Sequence, residues 1–137
     1  MSRPFVYTEL QEAWLHDLEH TRVKQGKGKL HQYEWDRHTY CCLGRACKVL
    51  KIPNDGTVNI FDGAVFKYLG KDSVLPALVQ DRLCLYHDNG SDTTETNCLA
   101  EMNDAGMSFK NIAKAIRATP WRYFHHDARG REDNPSV

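Results

Sequence analysis

Cys41 and Cys42 stand side by side at the start of a segment whose Leu43, Ala46, Cys47 and Leu50 fall on one helical stripe. A thiol at a helix N-terminus meets unpaired backbone amides and the positive end of the helix dipole, and both favour the thiolate. The surroundings add positive charge. Residues 37–54 contain Arg37, Arg45, Lys48 and Lys51 and no acidic residue. Papain-like hydrolases and transferases present their nucleophile at a helix start, with an imidazole as base and a third group to orient it. His38 and His87 are the candidate bases here, and Asn103 or Asp104 the candidate orienter. The competing reading makes Cys41, Cys42 and Cys47 small core residues, because free cysteine is among the most buried residue types.

Metal chemistry is the second possibility. Cys41, Cys42, Cys47, Cys84, Cys98 and His87 include enough ligand types for zinc, but the cysteine spacing lacks a second knuckle. His16-Asp17-Leu18-Glu19-His20 matches a zinc-peptidase pattern. On a helix, however, Leu10, Trp14 and Leu18 define the buried face, and His16 and His20 point nearly opposite with no third ligand in sequence. No metal and no cofactor is expected. Asn103 and Asp104 also suit a plain turn leading into a Ser108 helix cap.

Anion binding is the third. Residues 21–33 carry Arg22, Lys24, Lys27, Lys29 and His31 without an acid, and Gly26 and Gly28 let backbone amides approach a phosphate. The order is not that of a P-loop. Lys110, Lys114 and Arg117 share one side of a later helix, and Arg122, His125 and His126 follow among Trp121, Tyr123 and Phe124. Acids concentrate between Asp81 and Asp104, so basic and acidic faces are expected on one chain. Basic residues interleaved with aromatics suit phosphates and stacked bases, although charged helix faces are usually only solvated, and these three aromatics suit core packing better.

The elements that must position these groups read as follows. Thr8-Glu9-Leu10-Gln11 is a capping box that opens a helix running to about Val23, and Gly26 and Gly28 end it. Residues 30–40 are ambiguous. A second helix spans Cys41 to Leu50 and stops at Pro53-Asn54-Asp55-Gly56. Residues 57–61 and 64–68 form a hairpin around Asp62-Gly63, which supplies the positive φ angles of a type I′ turn. Leu75-Pro76 opens a third helix with Leu75, Leu78, Val79 and Leu83 facing inward. Residues 98–102 suit a short strand or a helical turn, and Ser108 caps a last helix from Phe109 to Ala118 that Pro120 ends. The expected fold class is α+β, with about four helices packed on a small antiparallel hairpin or sheet.

The chain has 137 residues, 41% hydrophobic and 26% charged, with 18 basic residues balancing 18 acidic ones. That size and composition suit one globular domain, 1–126, with a polar tail at 127–137. Balanced charge forces neither a nucleic-acid nor a membrane partner. The chain has no apolar run long enough to span a bilayer and no apolar h-region near Met1. A cytoplasmic protein with reduced cysteines is therefore expected.

Several motifs occur in order: Trp14, Gln25-Gly26-Lys27-Gly28-Lys29-Leu30, Tyr40-Cys41-Cys42-Leu43-Gly44, Leu75-Pro76-Ala77-Leu78-Val79, and Asn103-Asp104-Ala105-Gly106-Met107-Ser108 followed by Ile112-Ala113. From Trp14 to about Ile116 the chain resembles a family of small uncharacterised proteins of bacteriophages and actinobacteria. That family shares Gln-x-x-Gly-x-Leu, Cys-x-Leu-Gly and Asn-Asp-x-Gly-x-Ser/Thr segments. His16 and His20 depart from its pattern. The resemblance implies origin more than activity: an accessory protein, in the host cytoplasm if viral. The leading expectation is a non-enzymatic binding protein for an anionic partner, whether a nucleotide-type ligand, a nucleic acid or an acidic host protein. Binding would use Lys27, Lys29, Arg45, Lys110, Lys114 and Arg117, and a counter-defence role follows from the origin alone. The alternative is the cysteine hydrolase or transferase, with Cys41 or Cys42, His87 and Asn103.

Overall fold

A computed structural model of the chain describes residues 4–60 and 63–130. The fold is α+β, with six helices and a five-stranded mixed sheet among these residues. Helix α1 spans Glu9–His20 and has its full capping box: Gln11 N donates to Thr8 Oγ1 at 3.0 Å, and Thr8 N to Gln11 Oε1 at 2.9 Å. Gln11 is buried, and its Nε2 also donates to Leu83 O and His126 O, which ties the first helix to two distant segments. The helix stops short of Val23 because the chain turns extended there, into strand β1 (Lys24–Gln25).

The ambiguous stretch 30–40 is a hairpin of β2 (His31–Glu34) and β3 (Arg37–Tyr40). Trp35 and Asp36 connect the strands at φ 52° and 58°, both positive as a type I′ turn requires. Without glycine in the turn, and with polar and aromatic rather than apolar alternation in the strands, sequence signals do not mark it. Helix α2 follows at Cys42–Val49, with Cys41 as its N-cap. Strands β4 (Gly56–Ile60) and β5 (Gly63–Lys67) come next, each one residue earlier than expected. Asp62 of the expected Asp-Gly turn lies outside the described residues. Gly63 belongs to the strand. Its role is space: a Cβ there would lie 1.8 Å from Tyr33 O.

Helices α3 (Ala77–Leu83), α4 (Leu99–Asp104), α5 (Phe109–Ala118) and α6 (Pro120–Tyr123) complete the fold. Of the two forms expected for the stretch at 98–102, the helical one is found, at Leu99–Asp104. Two details differ from expectation: Pro120 opens α6 as well as following α5, and Leu78 is 41% exposed. Asp127 is buried, Ala128 N donates to Val6 O, and Arg129 donates to Pro4 O, so the chain stays packed against its own start through this stretch. No helix among the described residues is long and apolar enough to cross a membrane.

Strand order is β1-β3-β2-β5-β4, with β1 parallel to β3 and the other pairs antiparallel. Side chains alternate between faces along each strand. One face carries Tyr40, His31 and Phe66. The His31 ring is stacked between the other two at 4.0 Å on each side, and Arg45 of α2 lies over Tyr40. The His31 nitrogens meet Tyr68 Oη and His38 Nδ1, each at 2.8 Å. Burial, then the electrostatic effect of the neighbouring His38, lowers the His31 pKa to about 4, so this ring stays neutral inside its aromatic stack. The opposite face carries Lys24, Thr39, Gln32, Val65 and Val58, then Arg37, Glu34, Gly63 and Ile60.

The main core joins Trp14, Leu15 and Leu18 to Leu43, Leu99, Ile112, Ile116 and Phe124. Trp121, Tyr123 and Phe124 are buried, which matches their reading as packing residues. Helix α2 presses so closely on the start of β2 that a Cβ on Gly44 would lie 1.8 Å from Leu30 O. Substituting Gly44→Ala should cost about 3 kcal/mol, because backbone yields less readily than side chain. Urea denaturation measures this; a loss below about 1 kcal/mol would show that the two segments separate freely.

Candidate functional site

The polar residues of the sequence motifs converge on one junction around the buried Asn103. Gln25 closes β1 and points away from the groove face. Its Nε2 donates to Asn103 Oδ1 and to Met107 O, both at 2.7 Å, and its Oε1 accepts Phe109 N at 3.2 Å. Asn103 Oδ1 also accepts Cys42 N at 3.0 Å, and Asn103 Nδ2 donates to Gly26 O at 2.7 Å. Asp104 accepts Gly28 N at 2.8 Å. Asn103 is 0% exposed with both ends of its amide engaged. It caps α2 and holds β1, while Gln25 supplies an acceptor to the start of α5. Asn103 does lie beside Cys42, but its bonds go to backbone and to Gln25, and none orients an imidazole.

The thiols lie inside the core. Cys41 and Cys42 are 4% and 0% exposed. Cys41 Sγ accepts Gly44 N at 3.4 Å, and Cys42 Sγ donates to Leu99 O at 3.6 Å. Burial pushes the Cys41 thiol up to about 11, Cys47 to about 12, and Cys42 well above its ordinary value. Desolvation outweighs the helix-start amides, so the expected thiolate does not arise. His87 lies in a separate loop with Nε2 3.4 Å from Glu95 Oε1, and His38 is bonded to His31. The Cys-His-Asn constellation is not assembled. Nor do three or more His, Cys, Asp or Glu side chains converge on a metal-sized site among the described residues.

The six cations expected to act together are scattered. Arg45 is held by both oxygens of Asp17 at 2.8 Å, with that hydrogen bond raising its pKa. Arg117 crosses from α5 to α1 and pairs with Glu12 and Glu19. Lys29 lies 3.6 Å from Asp72. Lys110 and Lys114 are exposed on α5, away from the sheet. Of the six, Lys27 lines a cavity together with Lys24 and Arg37.

That cavity is a groove of about 570 Å³ on the outer sheet face, lined by Lys24, Gly26, Lys27, Gln32, Glu34, Trp35, Arg37 and Thr39. Among the described residues no ion pair engages Lys24, Lys27 or Arg37. Gln32 Nε2 donates to Lys27 O at 3.0 Å and so ties the wall to the floor. Trp35 stands at the end of the groove, 75% exposed. Sequence reasoning included Lys24 in a basic stretch and Arg37 among the neighbours of the thiols. It missed Trp35 and Glu34, because their placement depends on a hairpin that carries no glycine signal. Comparison with family models, with curated proteins and with solved structures finds no match to this chain.

Two outcomes follow. Asn103→Ala should destabilise the fold by about 3 kcal/mol, since it leaves the Cys42 amide and Gly26 carbonyl without their buried partner. Thermal and urea unfolding read this directly, and a near-neutral variant would remove the junction from its central place. Iodoacetamide at pH 8 should label Cys41, Cys42 and Cys47 only as denaturant is added. Rapid labelling of either adjacent thiol in the folded chain would restore the nucleophile reading.

Proposed function

We propose that the chain is a non-enzymatic binding protein for a nucleotide-type anion, free or within a single strand, and that the outer sheet groove is its binding surface. The observation that carries this reading is Trp35. A large indole three-quarters exposed gains little from burial, and a positive φ on a residue other than glycine costs about 1 kcal/mol. Asparagine and glycine are the residues a type I′ turn prefers. A tryptophan there is poor for folding and good for presenting a flat π surface at the groove's end.

Lys24, Lys27 and Arg37 supply unpaired positive charge along the same groove, and Gln32 and Thr39 supply polar groups between them. Stacking of a base on an aromatic ring with phosphates on nearby cations is the common mode of single-strand binding. An acidic protein surface would use the cations and leave the indole unexplained. The local groove, rather than net charge, supports the reading, since the whole chain is neutral.

Fluorescence anisotropy with a labelled mixed-sequence single-stranded hexamer, and calorimetry with mononucleotides, test it and separate the two ligand forms. Three phosphate contacts predict a log K against log salt slope of about −2. Trp35→Ala should weaken binding by about tenfold or more. Replacing Trp35-Asp36 with Asn-Gly should abolish stacking while stabilising the hairpin by about 1 kcal/mol. Unchanged affinity in both variants, or binding indifferent to salt, would overturn the assignment.

A further inference from the structure

Glu34 is the one feature of the groove that phosphate binding does not explain. It stands among Lys24, Lys27 and Arg37, where a carboxylate repels an incoming phosphate. It is the direct cross-strand partner of Arg37, yet no ion pair joins them among the described residues. On its other side it pairs with Gly63, whose missing side chain clears the strand beneath it. A Cβ on Gly63 would sit 3.1 Å from Glu34 Cγ. The carboxylate therefore lines the groove with its acceptor oxygens uncommitted, one residue before the exposed indole.

We propose that this groove is selective for guanine, with Glu34 reading the base and Trp35 stacking on it; the inference rests on the nucleotide-binding reading above. The chemistry is that of matched donors. An ionised carboxylate only accepts hydrogen bonds, through two oxygens side by side. Guanine presents two adjacent donors, N1–H and the N2 amino group, on its Watson–Crick edge. Adenine and cytosine present one amino group beside a ring-nitrogen acceptor, which would face the second oxygen unfavourably. Uracil and thymine present one N–H between two carbonyls. A charge-assisted, two-point contact is also the geometry that discriminates bases most strongly. Lys24, Lys27 and Arg37 then take the phosphate of the same nucleotide or of its neighbours in a strand.

The test uses the full-length chain and calorimetry with GMP, IMP, AMP, CMP and UMP, together with hexamers that contain one guanine or none. GMP should bind about tenfold more tightly than AMP, CMP or UMP, and IMP, which lacks the N2 amino group, should fall between. Glu34→Gln should bring GMP down to the level of AMP while leaving AMP affinity the same or higher, because a repulsive charge is removed. The side chain is on the surface, and circular dichroism with a urea midpoint checks that the variant folds as the parent does. Equal affinity for all five nucleotides, with Trp35→Ala still weakening each, would overturn guanine selectivity and leave the binding reading standing. A guanine preference that survives in Glu34→Gln would overturn the role of this carboxylate. Absence of binding to every nucleotide and both hexamers would overturn both. Tight binding to the guanine hexamer with weak binding to GMP would support selectivity and identify a strand as the ligand form.

Discussion

The side-chain amide of Asn103 is shut away from water, and each of its ends is spoken for by a different part of the chain. Its oxygen takes the first amide of α2 and the Gln25 side chain, and its nitrogen gives to the backbone of Gly26. An amide buried without partners would cost several kcal/mol, so these three segments have to meet wherever Asn103 is buried. The consequence reaches the surface. Strand alternation sends Lys24 outward when Gln25 points in, and Lys27 follows just beyond the held Gly26. The cationic side of the groove is thus positioned by a neutral contact on the opposite side of the same strand.

The same packing removes the chemistry that the adjacent cysteines suggest. A helix start offers a thiolate at most about 2 kcal/mol of dipole stabilisation, whereas an ion taken out of water loses several. Cys41 and Cys42 lie against Gly44 and Leu99 with little or no solvent contact, so the larger effect prevails. Cysteine here acts as a compact apolar residue that lets α2 pack tightly, as Gly44 does against Leu30. Arg45 and Arg117 are similar cases: their charge is spent on pinning α2 and α5 to α1.

Legibility followed the physics of local signals. The capping box at Thr8 and Gln11, the α5 cap at Ser108 and the stripe of Phe109, Ile112 and Ile116 depend on neighbours a few residues away, and sequence spacing reports them. The β4–β5 hairpin was visible from its two flanking strands, and Gly63 also serves close approach to Tyr33. The hairpin at Trp35-Asp36 was invisible because tertiary packing, with His31 stacked between two aromatic rings, holds a turn that local preference disfavours. The candidate site shared that fate. Lys27 could be named from its stretch, but Glu34 and Trp35 enter only once β2 and β3 are paired. Motifs such as Asn103-Asp104 stood out in sequence, and what they specify is a structural junction.

The sheet also restricts how this chain can change in length. Along β2, His31 and Tyr33 belong to the face shared with Tyr40 and Phe66, and Gln32 and Glu34 to the groove. Inserting or deleting one residue in this strand would exchange the two sets. Histidine would be turned out to water; a deletion would press Gln32 between tyrosine and phenylalanine and set Glu34 opposite His38 and Ala64. Residue types along 31–40 can therefore be altered far more readily than residue number, and changes in length belong to the loops around the sheet.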